Sequence, residues 1–484
     1  MLSRFNFVKS IVAVIALVIC NTTLAEQEIS APGEGLSKSW TGDLDTMIER
    51  RTIRILTVYG AGRYYIDGSQ EKGLVHDMFS QFEDKLNKDL KSGNIKVYVV
   101  FVPVARNELI PSLLAGRGDI IAAGLTITSD RAEHVAFSDP VSKVVKEILV
   151  TGPSSPKIDN IDQLAGKTIH LRASSSYRES VETLNARFVK EGKASIKIED
   201  ISELLEDDDL IEMVNSGLLP WAIVDGYKTH LWEGVFKNLV VRNDIVFRTD
   251  GHLAYAFRKD SPKLAAKLNE FIKTHKQGTL AGNMLVNEYL RDFDWAANAL
   301  HQDEYQRFED LEHIFQTYGE QYGLDYLMAA AQGYQESRLK QSARSNAGAI
   351  GVMQLLPTTA SGKQVGIDNI HEVEPNIHAG IKYMRFLRDR YFSDPGISEL
   401  NRSLLALGAY NAGPARMINL RKKARAQGLN PDVWFNNVEI IAAQDIGRET
   451  VQYVANIYKY YLSYRLTAKQ QIKHKAAREK AGIK

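Results

Sequence analysis

The sequence predicts a multidomain chain, a two-lobed α/β unit followed by a mostly α unit. Three observations carry this. The 484 residues exceed what one hydrophobic core serves, and at about 100–200 residues per domain they make two or three. From Arg51 to about residue 290, β-branched strand-like runs alternate with amphipathic helical runs, the pattern of stacked β-α units. After Asp292 the strand signals stop and helical spacing takes over.

The elements follow in order. Residues 26–48 are rich in Gly, Ser, Glu and Asp and read as a flexible lead-in. Thr52 to Tyr59 alternates like a strand, Leu74 to Leu90 places Met78, Phe82 and Leu86 on one helical face, and Lys96 to Val104 and Asp119 to Ala123 are further strands. A short helix from Glu108 to Ala115 ends at Gly116. This alternation predicts a parallel sheet. The pattern restarts near residue 160, with strands at Thr168 to Leu171 and Trp221 to Val224 and a helix at Tyr177 to Val189. A last strand, Leu253 to Phe257, and a helix from Pro262 to His275 return the chain to the first lobe. Helices are then expected over 303–318, 324–335, 376–392, 400–410 and 446–464, with Gly and Pro at the joints. The expected domains are 1–25, 26–48, 49–296 (two lobes), 297–468 (helical) and a basic, solvated tail at 469–484.

The N-terminus reads as an export signal. Arg4 and Lys9 precede an apolar run from Ile11 to Cys20, and Thr23-Leu24-Ala25 offers small residues for cleavage before Glu26. The run is too short to span a bilayer. Cys20 is the one cysteine, so the mature chain has neither disulfides nor thiolate metal ligands. This suits a bacterial periplasm, with peripheral attachment to the outer membrane of a Gram-negative cell as the expected location. A net charge of +1, with 44% apolar and 25% charged residues, gives no reason to expect a nucleic acid partner. No metal and no cofactor are expected.

Four motifs occur in order in the helical part: Glu336-Ser337 after an apolar helix; Gly348-Ala349-Ile350-Gly351-Val352-Met353-Gln354; Ala409-Tyr410-Asn411-Ala412-Gly413; and Glu449-Thr450 with Tyr453-Val454. The segment from Tyr326 to Tyr334 is nearly free of charge, so Glu336 sits at the rim of an apolar pocket. Burial raises a carboxyl pKa, and a carboxylic acid protonated near neutrality is what a glycosidic leaving oxygen needs. Glycines 348 and 351 let backbone approach a substrate, and Gln354, Tyr410 and Asn411 supply hydrogen bonds and stacking for a sugar.

The ordered set, with Ser345 nine residues after Glu336 and with Asn376-Ile377, Gly380 and Tyr383 beyond it, resembles the family-23 lytic transglycosylases over about residues 305–465. Val352 stands where the family usually has Leu, and the usual Pro after Glu-Ser is absent. The resemblance implies a lysozyme-like fold and cleavage of the β-1,4 bond between N-acetylmuramic acid and N-acetylglucosamine in peptidoglycan glycan strands. It implies Glu336 as acid and base, forming a 1,6-anhydro end. It also implies substrate contacts from Ser345, Gly351, Met353, Gln354, Tyr410, Asn411, Glu449 and Tyr453. Two alternatives stay open: a wall-held receptor without catalysis, and a hydrolytic goose-type lysozyme.

The run from Leu113 to Arg131, Leu-Leu-Ala-Gly-Arg-Gly-Asp-Ile-Ile-Ala-Ala-Gly-Leu-Thr-Ile-Thr-Ser-Asp-Arg, then Phe137-Ser138-Asp139-Pro140, resembles the family-3 periplasmic solute-binding proteins over about residues 50–290. Arg131 suits a carboxylate, Gly124 and Thr126 offer polar contacts, and Ser174 to Ser176, Ser175 among them, precede a helix beside Arg172. Asp225 ends a strand where it can hold an ammonium group. The resemblance implies these positions as ligand contacts, with an amino acid or a peptide stem of the wall as ligand. Val58-Tyr59-Gly60-Ala61-Gly62 lacks the acidic residue many amino-acid binders carry, and Tyr59, Tyr64 and Tyr65 are candidates to line a larger site.

Overall fold

The computed structural model describes residues 39–60, 62–67, 70–230, 232–290 and 303–483; the expected export signal and most of the lead-in lie outside them. The first lobe is built on a five-stranded sheet in the order Tyr98–Pro103, Thr52–Thr57, Ile120–Thr126, Leu253–Phe257, Ala136–Phe137. The first three strands are parallel, and Leu253–Phe257 runs antiparallel to Ile120–Thr126. Every residue of Thr52–Thr57 is buried, as in a sheet covered on both faces. One face packs Ile53, Ile55 and Phe101 against Phe79, Phe82 and Phe271 from flanking helices; the other packs Leu56, Ile121 and Val102 against Leu109 and Leu113.

The second lobe departs from the expected parallel sheet. Its three strands, Trp221–Asp225, Val145–Thr151 and Val240–Gly251, are antiparallel, and a separate parallel pair joins Thr168–Leu171 to Lys197–Asp200. Val240–Gly251 carries register shifts and buries only Ile245 and Gly251, so its polar sequence hides the strand. The end of the lead-in is also ordered. Leu44–Glu49 is a helix that buries Leu44 and Met47. Asp43 accepts hydrogen bonds from the backbone N–H groups of Lys263 and Leu264, both at 2.8 Å, which caps the helix Pro262–His275.

The helical part comprises Asp303–Tyr322, Tyr326–Ser337, Val373–Tyr391, Glu399–Ala412, Pro414–Ala426, Glu439–Asp445 and Arg448–Lys480, besides shorter turns. Its core gathers Phe315, Ala331, Ile377, Leu405, Trp434 and Val454. Val100 of the first lobe belongs to the same apolar cluster, so the two parts share packing. The last helix has 33 residues, about 50 Å at 1.5 Å per residue. The tail expected to be solvated is instead its end. His474 Nε2 lies 2.8 Å from Asp209, Arg478 bonds to Asp209 and Glu212, and Ile483 is buried among Leu210, Val214 and Trp232 of the second lobe. His474 and Arg478 stand four residues apart, on one helical face that meets the acidic start of Asp207–Asn215.

Candidate active site

Glu336 stands one residue before the end of the apolar helix Tyr326–Ser337, capped at its start by Asp325. Ala329, Ala330, Ala331 and Tyr334 bury that helix, and Arg338 and Leu339 then turn in the left-handed region. The Glu336 carboxyl is half-buried. Burial pushes its pKa up to about 7, against the pull of one hydrogen bond from Tyr453. The Tyr453 hydroxyl donates to Oε1 at 2.5 Å and itself lies 3.4 Å from the amide of Gln332. Among the described residues, no charged side chain contributes to the Glu336 shift. Tyr410 and Tyr453 are both held well above the usual phenol range, first by burial and then by the Glu336 charge.

The glycine-rich loop is fastened beside it. Gly351 has φ +76°, and a Cβ there would lie 2.5 Å from Gln341 Oε1 and 2.6 Å from Asn376 Nδ2, so only glycine fits. Asn376, fully buried, accepts from the Met353 N–H at 2.8 Å and donates to the carbonyls of Ile350 and Ile370. Ser337 Oγ donates to the Val352 carbonyl at 2.8 Å, tying the loop to the helix that carries Glu336. Tyr410 closes the circle, donating to the Met353 carbonyl at 2.8 Å.

The structure thus joins Glu336 with Tyr453, and Gly351, Met353 and Gln354 with Tyr410. Met353 is fully buried, and the amide of Gln354 is spent on the carbonyls of Gly351 and Ala343, so both order the loop. Ser345 is exposed and accepts from the Ala349 N–H. Asn411 accepts from Thr450 Oγ1 at 2.7 Å, and Glu449 beside it is exposed. Gln332, Gln341 and Ser337 escaped the sequence reading as loop and acid supports. Ser337 was signalled by its place beside Glu336; Gln341 had no local signal, because its role depends on a strained turn ten residues on.

The cleft residues of the α/β unit also meet, but against protein partners. Arg131 donates to the carbonyl of Thr126 in its own lobe and to that of Ser174 across the lobes, both at 2.9 Å. Arg172 pairs with Asp207 and donates to the Leu205 carbonyl. Ser175 caps the helix Ser176–Lys190. Gly124 has φ +62°, with Arg63 packed where a Cβ would stand. Asp225 pairs with Lys228 at 2.9 Å, while its Oδ1 is buried without a hydrogen-bond partner among the described residues. Arg106 grips Glu206 across the lobes. The sequence reading missed Arg106, Glu206 and Asp207, because a run of four acids at Glu206 to Asp209 looks like a solvated face. Tyr64 and Tyr65 are core residues rather than site lining.

Residues 60–290 match the bacterial extracellular solute-binding proteins, family 3, and residues 313–433 match the transglycosylase SLT domain. A protein of Pseudomonas fluorescens (strain Pf0-1) named membrane-bound lytic murein transglycosylase F is 28% identical over 439 residues, 86% of this chain and 85% of its own. One of the same name from Desulfosudis oleivorans is 28% identical over 433 residues, 84% and 89% of the two chains. Among solved structures, the substrate binding protein of an amino acid ABC transporter covers 49% of this chain and 98% of its own, at 21% identity and a TM-score of 0.41. The chain therefore carries a family-3 solute-binding domain followed by a transglycosylase SLT domain.

Proposed function

We propose that the chain is a peptidoglycan lytic transglycosylase with Glu336 as its acid and base. The observation that carries the assignment of Glu336 is a carboxyl pushed to about 7 by burial, with no charged neighbour contributing to the shift. A retaining or inverting glycosidase needs two working carboxylates, whereas substrate assistance needs one. Protonated Glu336 gives its proton to the glycosidic oxygen, and the bond from that oxygen to the muramoyl C1 breaks. The substrate's N-acetyl group stabilises the charge at C1. The carboxylate then takes the proton from the C6 hydroxyl as that oxygen bonds to C1, which restores the acid and leaves a 1,6-anhydro end without adding water. Tyr453 holds the carboxylate through its hydroxyl. The loop at Gly351 to Gln354, with Tyr410, Asn411, Ser345 and Glu449, flanks the glycan.

The N-terminal domain is read as a ligand-sensing module for an amino acid or a wall peptide. The bare Oδ1 of Asp225 is the acceptor an ammonium group needs. We read the chain as exported to the periplasm through residues 1–25 and held peripherally at the outer membrane. Among the described residues no helix is long and apolar enough to cross a membrane.

Digestion of purified sacculi followed by mass spectrometry tests the chemistry. Products lighter than the hydrolytic ones by one water indicate anhydro ends. Reducing ends would indicate a lysozyme, and no release at all would leave only a receptor.

A further inference from the structure

A cavity of about 390 Å³ lies between the two lobes of the solute-binding domain, within the range of small-molecule sites. Of the six residues expected to hold the cleft ligand, only Gly124 lines it. Its wall is largely apolar, with Leu74, Met78, Ile148, Leu253, Tyr255 and Val286 contributing. Among the described residues the charged side chains of the lining are Arg63, which also feels the carboxylates of Asp208 and Asp207 outside the lining, and the exposed Lys143 and Lys146; the described lining has no Asp or Glu. Arg63 reaches from the first lobe to the Tyr227 hydroxyl of the second at 2.5 Å and packs against Gly124. Val144 also lines the cavity and is 54% exposed, so the cavity reaches solvent there.

Such a lining selects on two counts. An apolar wall rewards a ligand with an apolar body. Basic groups without an acid reward an anion and leave an ammonium group no counter-charge. The ammonium group of an amino acid, which Asp225 outside this cavity would hold, finds no acidic partner in the described lining. We propose that this cavity binds an aliphatic acid, its chain against the apolar wall and its acid group toward Arg63, Lys143 and Lys146. A free fatty acid and the acyl chain of an anionic lipid share this chemistry.

Calorimetry on the full mature chain, without sacculi, tests this independently of wall cleavage. Decanoate below its micellar concentration should bind saturably and one to one. Decylammonium, of equal length and opposite charge, should bind at least ~10-fold more weakly. Val286 is half-buried on the helix Leu280–Leu290, so Val286→Trp should fill the cavity and weaken decanoate at least ~10-fold, with circular dichroism unchanged. Should that variant misfold, Arg63→Met removes the charge at similar length and should narrow the preference for decanoate over decylammonium. Flotation with phosphatidylglycerol vesicles separates the two sources: capture that decanoate abolishes assigns the lipid, and no capture assigns the free acid. Equal affinity for decanoate and decylammonium, or decanoate binding unchanged in both variants, would overturn the proposal.

Discussion

A carboxyl at the end of an apolar helix is balanced between two forces. Desolvation favours its protonated form, and the Tyr453 hydroxyl favours the charged one. With a pKa of about 7, raised from 4.5, Glu336 is both a competent acid and a competent base near neutrality. Glu336→Gln keeps the shape but carries no proton to give, and should lower sacculus digestion by at least ~100-fold. The same substitution has a stability signature of definite sign. Because the folded-state pKa lies above the ordinary one, the stabilisation from protonated Glu336 is complete below about pH 4.5 and is lost as pH rises through 7. On the order of 3 kcal/mol is at stake. Glu336→Gln should therefore melt close to the wild type at pH 4.5 and above it at pH 8, and a gap independent of pH would contradict the burial argument. Tyr453→Phe removes the one bond that lowers the pKa. Its alkaline activity limb should move to higher pH, read from kcat/KM on a soluble glycan between pH 5 and 9; a limb that stays or moves down would show that Tyr453 does not hold the carboxylate.

At the scale of the element, the loop from Gly348 to Gln354 is shaped by side chains of other segments. Asn376 alone satisfies three backbone groups of it and its surroundings while fully buried. Asn376→Ala strands those groups, at about 1–3 kcal/mol each when water does not replace the amide. A loss of about 3 kcal/mol in urea unfolding is expected, with a fall in kcat/KM, and a loss below about 1 kcal/mol would mean that water takes over. This dependence explains what was legible in the sequence. The apolar helix ending at Glu336, the strand Leu253–Phe257 and the glycine at 351 declare themselves through local pattern and could be read directly. Strand Val240–Gly251 could not, because only Ile245 and Gly251 in it are buried and its register slips. Nor could the helix Leu44–Glu49, whose cap Asp43 earns its role by reaching a helix more than 200 residues away. Arg131 and Arg172 were legible as cleft residues. Their pairing with Ser174 and Asp207 was not, since it is set by how the lobes meet.

Over the whole molecule, the last helix runs from the Glu336 carboxyl to the far lobe. Tyr453 near its start touches Glu336, Lys459 in its middle lies 3.5 Å from Glu83 of the first lobe, and His474 and Arg478 hold the second. A buried seam between the two domains joins Arg51 with Glu439. Arg51 donates from both terminal nitrogens to Glu439, at 2.6 and 3.1 Å, and one of them also donates to Asn436. Glu439 is fully buried and Arg51 nearly so. A buried pair of this kind costs much of its attraction in lost hydration, so its presence adds little, whereas removing one partner strands a charge. Arg51→Met should therefore destabilise the chain by about 3–5 kcal/mol, seen by calorimetry as an earlier melting step. Arg51→Met with Glu439→Leu should recover most of that loss, because apolar packing against Tyr98, over which Arg51 lies, replaces two charges that must be stripped of water, and leaves the Lys96 carbonyl and the Asn436 N–H to find new partners. If the double variant is as unstable as the sum of the singles, the seam is held by the charges themselves, and docking of the catalytic domain on the first lobe becomes sensitive to salt.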